Sequence, residues 1–73
     1  MLLPSVQLSP RKVRVTQLVA EGKTNSDIAA ALGATEHAVK NYLRAIYDET
    51  GMDNRVELAL WYLAHTNHDS DNV

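Results

Sequence analysis

Apolar residues at the start of the chain recur at the spacing of an α-helix. The stripe consists of Leu8, Val15, Leu18 and Val19, and the polar side chains of Arg11, Lys12, Arg14 and Gln17 lie off it. Ser9 and Pro10 suit a helix beginning, because a serine hydroxyl can cap the first turn and proline lacks only an N–H that would be unpaired there. Gly22 ends the periodic stretch. The pattern predicts a first helix over residues 10–21.

A short second helix follows and leads into a tight turn. Thr24 or Asn25 can cap it, it spans residues 26–32, and Gly33 ends it. Its inward side is expected to carry Ile28, Ala29 and Leu32. Only two residues separate Gly33 from the next predicted helix, so the two helices should cross steeply, as in a helix-turn-helix.

A third helix is predicted from the cap Thr35 to about Thr50, where Gly51 stops it. Its buried stripe is Val39, Leu43 and Ile46. Its opposite face is polar and consists of Glu36, His37, Lys40, Asn41, Arg44 and Asp48. Guanidinium and amide groups can form paired hydrogen bonds to guanine and adenine, so this face has the chemistry to recognise bases.

A fourth helix is predicted to start after Asn54, which forms a capping-box variant with Glu57, and to end near His65. It is apolar nearly all round, at Val56, Leu58, Ala59, Leu60, Trp61, Tyr62 and Leu63. A surface helix needs only one apolar stripe, so a second face should be buried against something else. No segment has a convincing strand pattern, and the predicted fold class is all-α.

Length and composition narrow the class of protein. The 73 residues, 45% of them apolar and 22% charged, fit one small folded domain and exclude a large enzyme. The absence of cysteine excludes disulfides and thiolate zinc sites. No apolar run approaches the roughly 18 residues of a membrane span, so we expect a cytoplasmic protein without a membrane partner. The predicted organisation is an N-terminal extension over 1–7, a helix-turn-helix domain over 8–66 and a polar disordered tail over 67–73.

The charge balance is unusual for a protein that would bind nucleic acid. The formal net charge is −2, whereas neutralising phosphates normally requires a basic domain. Asp69 and Asp71 account for the excess, and the rest of the chain carries equal numbers of cationic and anionic side chains. The body of the domain is therefore neutral.

Six blocks of the sequence resemble, in order and spacing, the LuxR/GerE-type helix-turn-helix domain of bacterial transcription regulators. They are Leu8 to Arg11, Leu18 to Asn25, Ile28-Ala29, Leu32-Gly33, Val39 to Leu43 and Asn54 to Trp61. The resemblance covers residues 7–66. It implies a four-helix domain whose third helix enters the major groove, whose second crosses the DNA backbone and whose fourth often pairs two protomers. Most members carry it behind a receiver or ligand-binding domain, and GerE-like members consist of it alone.

The resemblance also implies a set of functional residues in a double-stranded DNA complex. Those expected to contact bases or the DNA backbone are His37, Lys40, Asn41, Arg44 and Arg55. Thr24 and Asn25 join them, because the amides and positive dipole of a helix N-terminus suit a phosphate. A homodimer interface is expected at Leu58, Trp61, Tyr62 and His65. Another regulator or RNA polymerase is a further candidate partner.

Other interpretations of the same residues remain open. Glu36 with Lys40, and Arg44 with Asp48, also have the spacing of ion pairs on a solvated helix face. A protein-interaction module that binds another regulator, and an output domain of a longer regulator, are alternatives to DNA binding. The sequence has no catalytic nucleophile matched with a general base, no phosphate-binding glycine loop and no metal-ligand spacing among its histidines. We therefore expect no catalysis, metal or cofactor.

Two segments of the chain depart from the family in the sign of their charges. Family members usually have acids where this chain has Lys12 and Arg14, and bases where it has Asp48 and Glu49. We hypothesise a compensated exchange, in which the two segments pack together and the ion pairs persist with reversed polarity.

Overall fold

The computed structural model describes the backbone of residues 8–71 and the side chains of residues 8–65. Over that range it contains four helices and no strand: α1 (Pro10–Ala20), α2 (Asn25–Leu32), α3 (Glu36–Thr50) and α4 (Arg55–Asp71). This confirms the predicted all-α, four-helix class. The predicted extension over residues 1–7 lies outside the described part of the chain.

The helix beginnings are formed by the side chains that the sequence indicated. The Ser9 hydroxyl accepts the backbone N–H of Lys12, and the Thr35 hydroxyl accepts that of Ala38. Thr24, rather than Asn25, caps α2, so this helix begins one residue earlier than predicted. Each cap supplies an acceptor for an N–H that has no partner within its own helix.

α4 differs from the prediction at both ends. Asn54 Oδ1 accepts the Glu57 N–H at 2.9 Å, as predicted, but Glu57 Oε1 accepts the N–H of Asp53, at 3.1 Å, where a capping box would use that of Asn54. The helix continues to Asp71, beyond the predicted end near His65. No glycine or proline follows Gly51, so nothing in the sequence stops it. Residues 67–71, predicted to be disordered, therefore have helical backbone in this structure.

The core gathers the predicted stripes around α1, which packs against the other three helices. Its members are Leu8, Val15, Leu18, Val19, Ile28, Ala29, Val39, Leu43, Ile46 and Leu58. Leu32, expected inside, is half-buried at its edge. The fully buried Thr16 donates its hydroxyl to the Lys12 carbonyl at 2.9 Å, so it adds no unpaired polar group to the core.

The turn between α2 and α3 places the two helices at a fixed angle. Gly33 has φ of 65°, a left-handed conformation that favours glycine. The Ala34 N–H donates to the Ala29 carbonyl at 2.9 Å and closes the end of α2. From α1, the Arg11 guanidinium donates to the Leu32 carbonyl at 3.4 Å, a contact that the sequence did not indicate. The predicted helix-turn-helix is thereby tied to the first helix.

The hypothesis of exchanged charges is confirmed for one pair and wrong for the other. Lys12 on α1 forms an ion pair with Glu49 on α3. Arg14 instead donates to the Gln17 side chain on its own helix, at 3.2 Å, and within residues 8–65 it has no ion pair with Asp48. Arg14 is exposed on α1, and its hydrogen bond is made to the Gln17 side chain one turn along the same helix.

Candidate nucleic-acid interface

The outward face of α3 presents the side chains predicted to contact DNA. His37, Lys40, Asn41 and Arg44 are all exposed, because the buried stripe on the opposite side turns them towards solvent. Neither predicted pair on this face forms, since the Lys12–Glu49 bridge is the sole ion pair among the side chains the structure describes. The ion pairs of the solvated-face interpretation are therefore absent among the described side chains, and Lys40 and Arg44 have no ion pair with the protein there. That this face contacts DNA stays a prediction.

A concave surface of about 380 Å³ brings part of this face together with the starts of two other helices. Its lining residues are Asn25 from α2, Lys40, Leu43, Arg44 and Tyr47 from α3, and Arg55 from α4. The three cations thus border one depression. Tyr47 was missed at the sequence level, although its spacing of seven from Lys40 and three from Arg44 placed it on the same side of the helix.

The first turn of α2 forms one edge of this surface. Thr24 and Asp27 make a reciprocal capping box: the Asp27 N–H donates to the Thr24 hydroxyl at 3.1 Å, and the Thr24 N–H donates to the Asp27 carboxylate at 3.2 Å. The Thr24 amide that was expected at a phosphate is therefore hydrogen-bonded within the protein. The first-turn amides without an intrahelical acceptor are those of Asn25 and Ser26. Ser26 is an addition that the sequence prediction lacked.

The same capping box sets the ionisation of Asp27. The backbone N–H and the hydroxyl of Thr24 hydrogen-bond the carboxylate and hold the pKa of Asp27 below its ordinary value. The carboxylate is thus charged at neutral pH beside the positive end of the α2 dipole. It places one negative charge at the edge of an otherwise cationic surface.

Arg55 is half-buried and contacts the protein itself. Its Nη1 donates to Asn25 Oδ1 at 2.5 Å, and its Nη2 donates to the Lys23 carbonyl at 2.7 Å. The guanidinium therefore joins the start of α4 to the residues around the start of α2. Sequence reasoning assigned Arg55 to a phosphate and did not foresee these bonds, which span a sequence separation of about thirty residues.

The residues predicted for a dimer interface divide between core and surface. Leu58 is fully buried in the protomer's own core and has no surface to offer a partner, which corrects its assignment. Trp61, Tyr62 and His65 are half-buried; the Trp61 and His65 rings lie 4.8 Å apart, and His65 Nδ1 is 2.7 Å from the Trp61 carbonyl. The most exposed large apolar side chains are Val56 (69%), Leu60 (62%) and Leu63 (39%). Their i, i+4, i+7 spacing puts them on one face, which we call the α4 apolar face.

A metal-binding cluster and a membrane-spanning helix are both absent from the described residues. These contain no group of three or more histidine, aspartate or glutamate side chains placed to hold a metal ion. Among the helices that could be described, none combines the length and apolar character needed to traverse a bilayer.

Comparison with known proteins yields one family. Residues 6–62 match the family of bacterial regulatory proteins, luxR family. The two-component response regulator PprB of Pseudomonas aeruginosa is 46% identical over 54 residues, which cover 74% of this chain and 20% of that protein. The transcriptional regulatory protein LiaR of Bacillus subtilis is 35% identical over 66 residues, covering 90% of this chain and 30% of LiaR.

A third relative is matched over a similar share of this chain and of its own length. The nitrate/nitrite response regulator protein NarL of Escherichia coli is 36% identical over 55 residues, covering 75% of this chain and 26% of NarL. The chain thus spans between 20% and 30% of the length of these three relatives. No solved structure matches the chain at a significant level.

Proposed function

The chain belongs to the luxR family of bacterial regulatory proteins and is a DNA-binding domain of a transcription regulator, and from this premise we propose that α3 enters the major groove of a specific duplex site. The observation that carries the proposal is the exposure of Lys40, Asn41 and Arg44 on one face of α3, without ion-pair partners among the described side chains. The major groove of B-DNA admits an α-helix and displays a different donor and acceptor pattern for each base pair.

Each side chain has a role that follows from its donor geometry. The Arg44 guanidinium can donate two parallel hydrogen bonds to guanine, and the Asn41 amide can pair with the donor and acceptor of adenine. Lys40, a flexible point charge, serves either a base edge or a phosphate. His37, at the exposed start of α3, and the first-turn amides of α2 contact the sugar-phosphate backbone.

Local charge explains how a chain of net charge −2, with a neutral domain body, can bind DNA. Lys40 and Arg44 border the concave surface and have no ion pair with the protein among the described side chains. Interactions among exposed charges are screened beyond about 8–10 Å at ordinary ionic strength, so a phosphate is attracted by the local cations more than by the net charge. We expect modest affinity, because Glu36 and Asp48 remain on the same face of α3 as exposed negative charges.

A titration of labelled duplex DNA by fluorescence polarisation, at two salt concentrations, tests the proposal. Affinity for fragments containing the operator should fall as salt rises, because bound cations displace counterions from DNA. Arg44→Ala should lower specific affinity by about 1–3 kcal/mol and relax the preference at one base pair. Arg14→Ala is the matched control, since it removes an exposed guanidinium from α1, away from the concave surface. Equal losses for both variants would contradict the assignment of Arg44.

We propose in addition that the domain binds as a homodimer through the α4 apolar face, Val56, Leu60 and Leu63, with Trp61, Tyr62 and His65 at its margin. Burying this apolar face between two protomers removes it from water, which favours association. A two-fold dimer would also place two α3 helices on half-sites about one helical turn apart. Sedimentation should show that Leu60→Glu shifts the protein towards monomer, whereas Ala30→Glu, on exposed α2 surface, leaves association unchanged. A protein that is monomeric on and off DNA would refute the dimer.

A second candidate is a module that binds another regulator or RNA polymerase through the α4 apolar face. The exposure of Val56 and Leu60 favours it, together with the neutral charge of the domain body. Duplex binding that does not depend on salt, or no duplex binding, would favour this candidate over the first. Because the chain covers only part of its relatives, its action as an output domain within a longer cytoplasmic regulator is also part of the proposal.

A further inference from the structure

Arg55 bridges two elements through one planar group. Its Nη1 and Nη2 reach different acceptors, the Asn25 side chain at 2.5 Å and the Lys23 backbone carbonyl at 2.7 Å. These acceptors lie on either side of Thr24, the cap of α2. The guanidinium therefore holds the segment that leads into α2, and with it the direction of the first-turn amides.

We propose that Arg55 is a positioning residue for DNA binding: it acts on the duplex through Asn25, whose side-chain NH₂ it directs to a backbone phosphate, rather than through its own charge. This inference rests on the proposed function and assigns the chemistry at one edge of that same site. It revises the expectation that Arg55 itself neutralises a phosphate.

The orientation of the Asn25 amide follows from what each group can donate. A guanidinium has five N–H donors and no acceptor, so the atom of Asn25 that meets Nη1 must be the oxygen. The amide nitrogen is then on the opposite side of the group, and its two N–H bonds are available to an anion. Asn25 also lines the concave surface with Lys40 and Arg44, so an anion bound there lies beside these cations.

The bridge requires arginine and not merely a positive charge. Two donors at a fixed separation on one rigid plane satisfy two acceptors that belong to different residues. A lysine ammonium is a compact charge on a flexible stem and cannot reproduce that fork. If Arg55 acted by its own charge, lysine would replace it well, whereas positioning predicts that lysine fails.

The probe, called the operator, is a labelled duplex that wild type selects from a random-sequence DNA library. The test compares its affinity for wild type, Arg55→Lys, Arg55→Ala, Asn25→Ala and the double variant Asn25→Ala/Arg55→Lys. Loss of one hydrogen bond to a charged phosphate should reduce affinity about tenfold in Asn25→Ala. Arg55→Lys should lose a similar factor, and the double variant should lose no more than either single change, because both remove the same contact. The dependence of affinity on salt should be unchanged in both Arg55→Lys and Arg55→Ala, because the contact that is lost is made by the neutral Asn25 amide and not by a cation.

The matched control is Arg11→Ala, which removes another guanidinium bond to α2, at the Leu32 carbonyl of its opposite end. It should lower the free energy of unfolding and leave operator affinity near the wild-type value. Urea titrations of every variant establish the folded fraction in the binding assay. In nitrogen–proton NMR spectra, the Asn25 side-chain amide should shift on addition of operator to wild type and should not shift in Arg55→Lys, a change that a loss of stability alone would not produce.

The outcomes separate the two proposals. If wild type binds in a salt-dependent way, either of two results would overturn the positioning role and leave the proposed function standing. One is an Arg55→Lys affinity equal to that of wild type. The other is a double variant whose loss of affinity is the product of the two single losses. An absence of salt-dependent operator binding by wild type would overturn the proposed function and this inference together.

Discussion

Exchanging the charges of Lys12 and Glu49 should make the domain more stable than the native sequence. The native pair joins α1 to α3, but each member stands at the unfavourable end of its helix dipole. Lys12 lies in the first turn of α1 and Glu49 in the last turn of α3, where the opposite signs are favoured. The double reversal Lys12→Glu/Glu49→Lys keeps an ion pair and the net charge while correcting both ends.

The magnitude follows from two contributions. A charge at the proper helix end contributes about 0.3–1 kcal/mol, so correcting two ends should add about 0.6–2 kcal/mol to the free energy of unfolding. A glutamate three residues after the Ser9 cap can also complete a capping box. The ion pair itself is partly exposed, with 23% and 37% of the two side chains accessible, and such pairs contribute about 0.2–1 kcal/mol.

Urea unfolding measures the dipole and ion-pair contributions in four proteins: wild type, the two single reversals and the double reversal. The signal is the fluorescence of Trp61, the only tryptophan. Each single reversal gains from the dipole but places like charges together, so it should lie near wild type or below it. The coupling in the cycle should favour the double reversal by about 0.5–2 kcal/mol and diminish at high salt. For a domain of this size, a gain of 1 kcal/mol corresponds to a rise in Tm of about 4–8 °C.

Glu21→Lys, an exposed reversal at the C-cap of α1, is the control for the dipole contribution alone: it places a cation at a helix C-terminus outside the ion pair and should add about 0.3–1 kcal/mol. A double reversal less stable than wild type, or a coupling of zero at low salt, would refute the idea that packing of α1 on α3 and the two dipoles govern these positions.

Three other changes test the fold and its caps. Ile46→Ala removes a fully buried side chain and should lower the free energy of unfolding by about 2–5 kcal/mol in urea titrations; a loss below about 1 kcal/mol would contradict its place in the core. Thr35→Ala removes the α3 cap and should cost about 1 kcal/mol, with Thr35→Ser as the rescuing control. Asp27 has a lowered folded-state pKa, so its contribution to stability is present above its unfolded pKa and is lost as pH falls through the folded value. Asp27→Asn should therefore reduce stability at neutral pH and make the loss of stability in acid less steep. An unchanged dependence of stability on pH would contradict the capping box.

Much of the candidate site could be predicted because α3 is an amphipathic helix of ordinary kind. Burial of Val39, Leu43 and Ile46 on one side requires Lys40 and Arg44 to face solvent. α4 allowed no such inference, since a helix that is apolar nearly all round has no stripe to identify its inner face. Leu58 was therefore assigned to an interface although it belongs to the core, and the exposed residues were found only with the structure.

The sequence by itself determined the four helices, their capping residues and three of the four buried stripes, since each depends on residues within a few positions of one another. Tertiary structure alone decided which distant partners meet: Lys12 with Glu49 but not Arg14 with Asp48, and Arg55 with Asn25. A long cationic side chain has several acceptors within reach of its rotamers. Which one it binds is set by the packing of helices separated by 30 or more residues along the chain, and no local pattern encodes that distance.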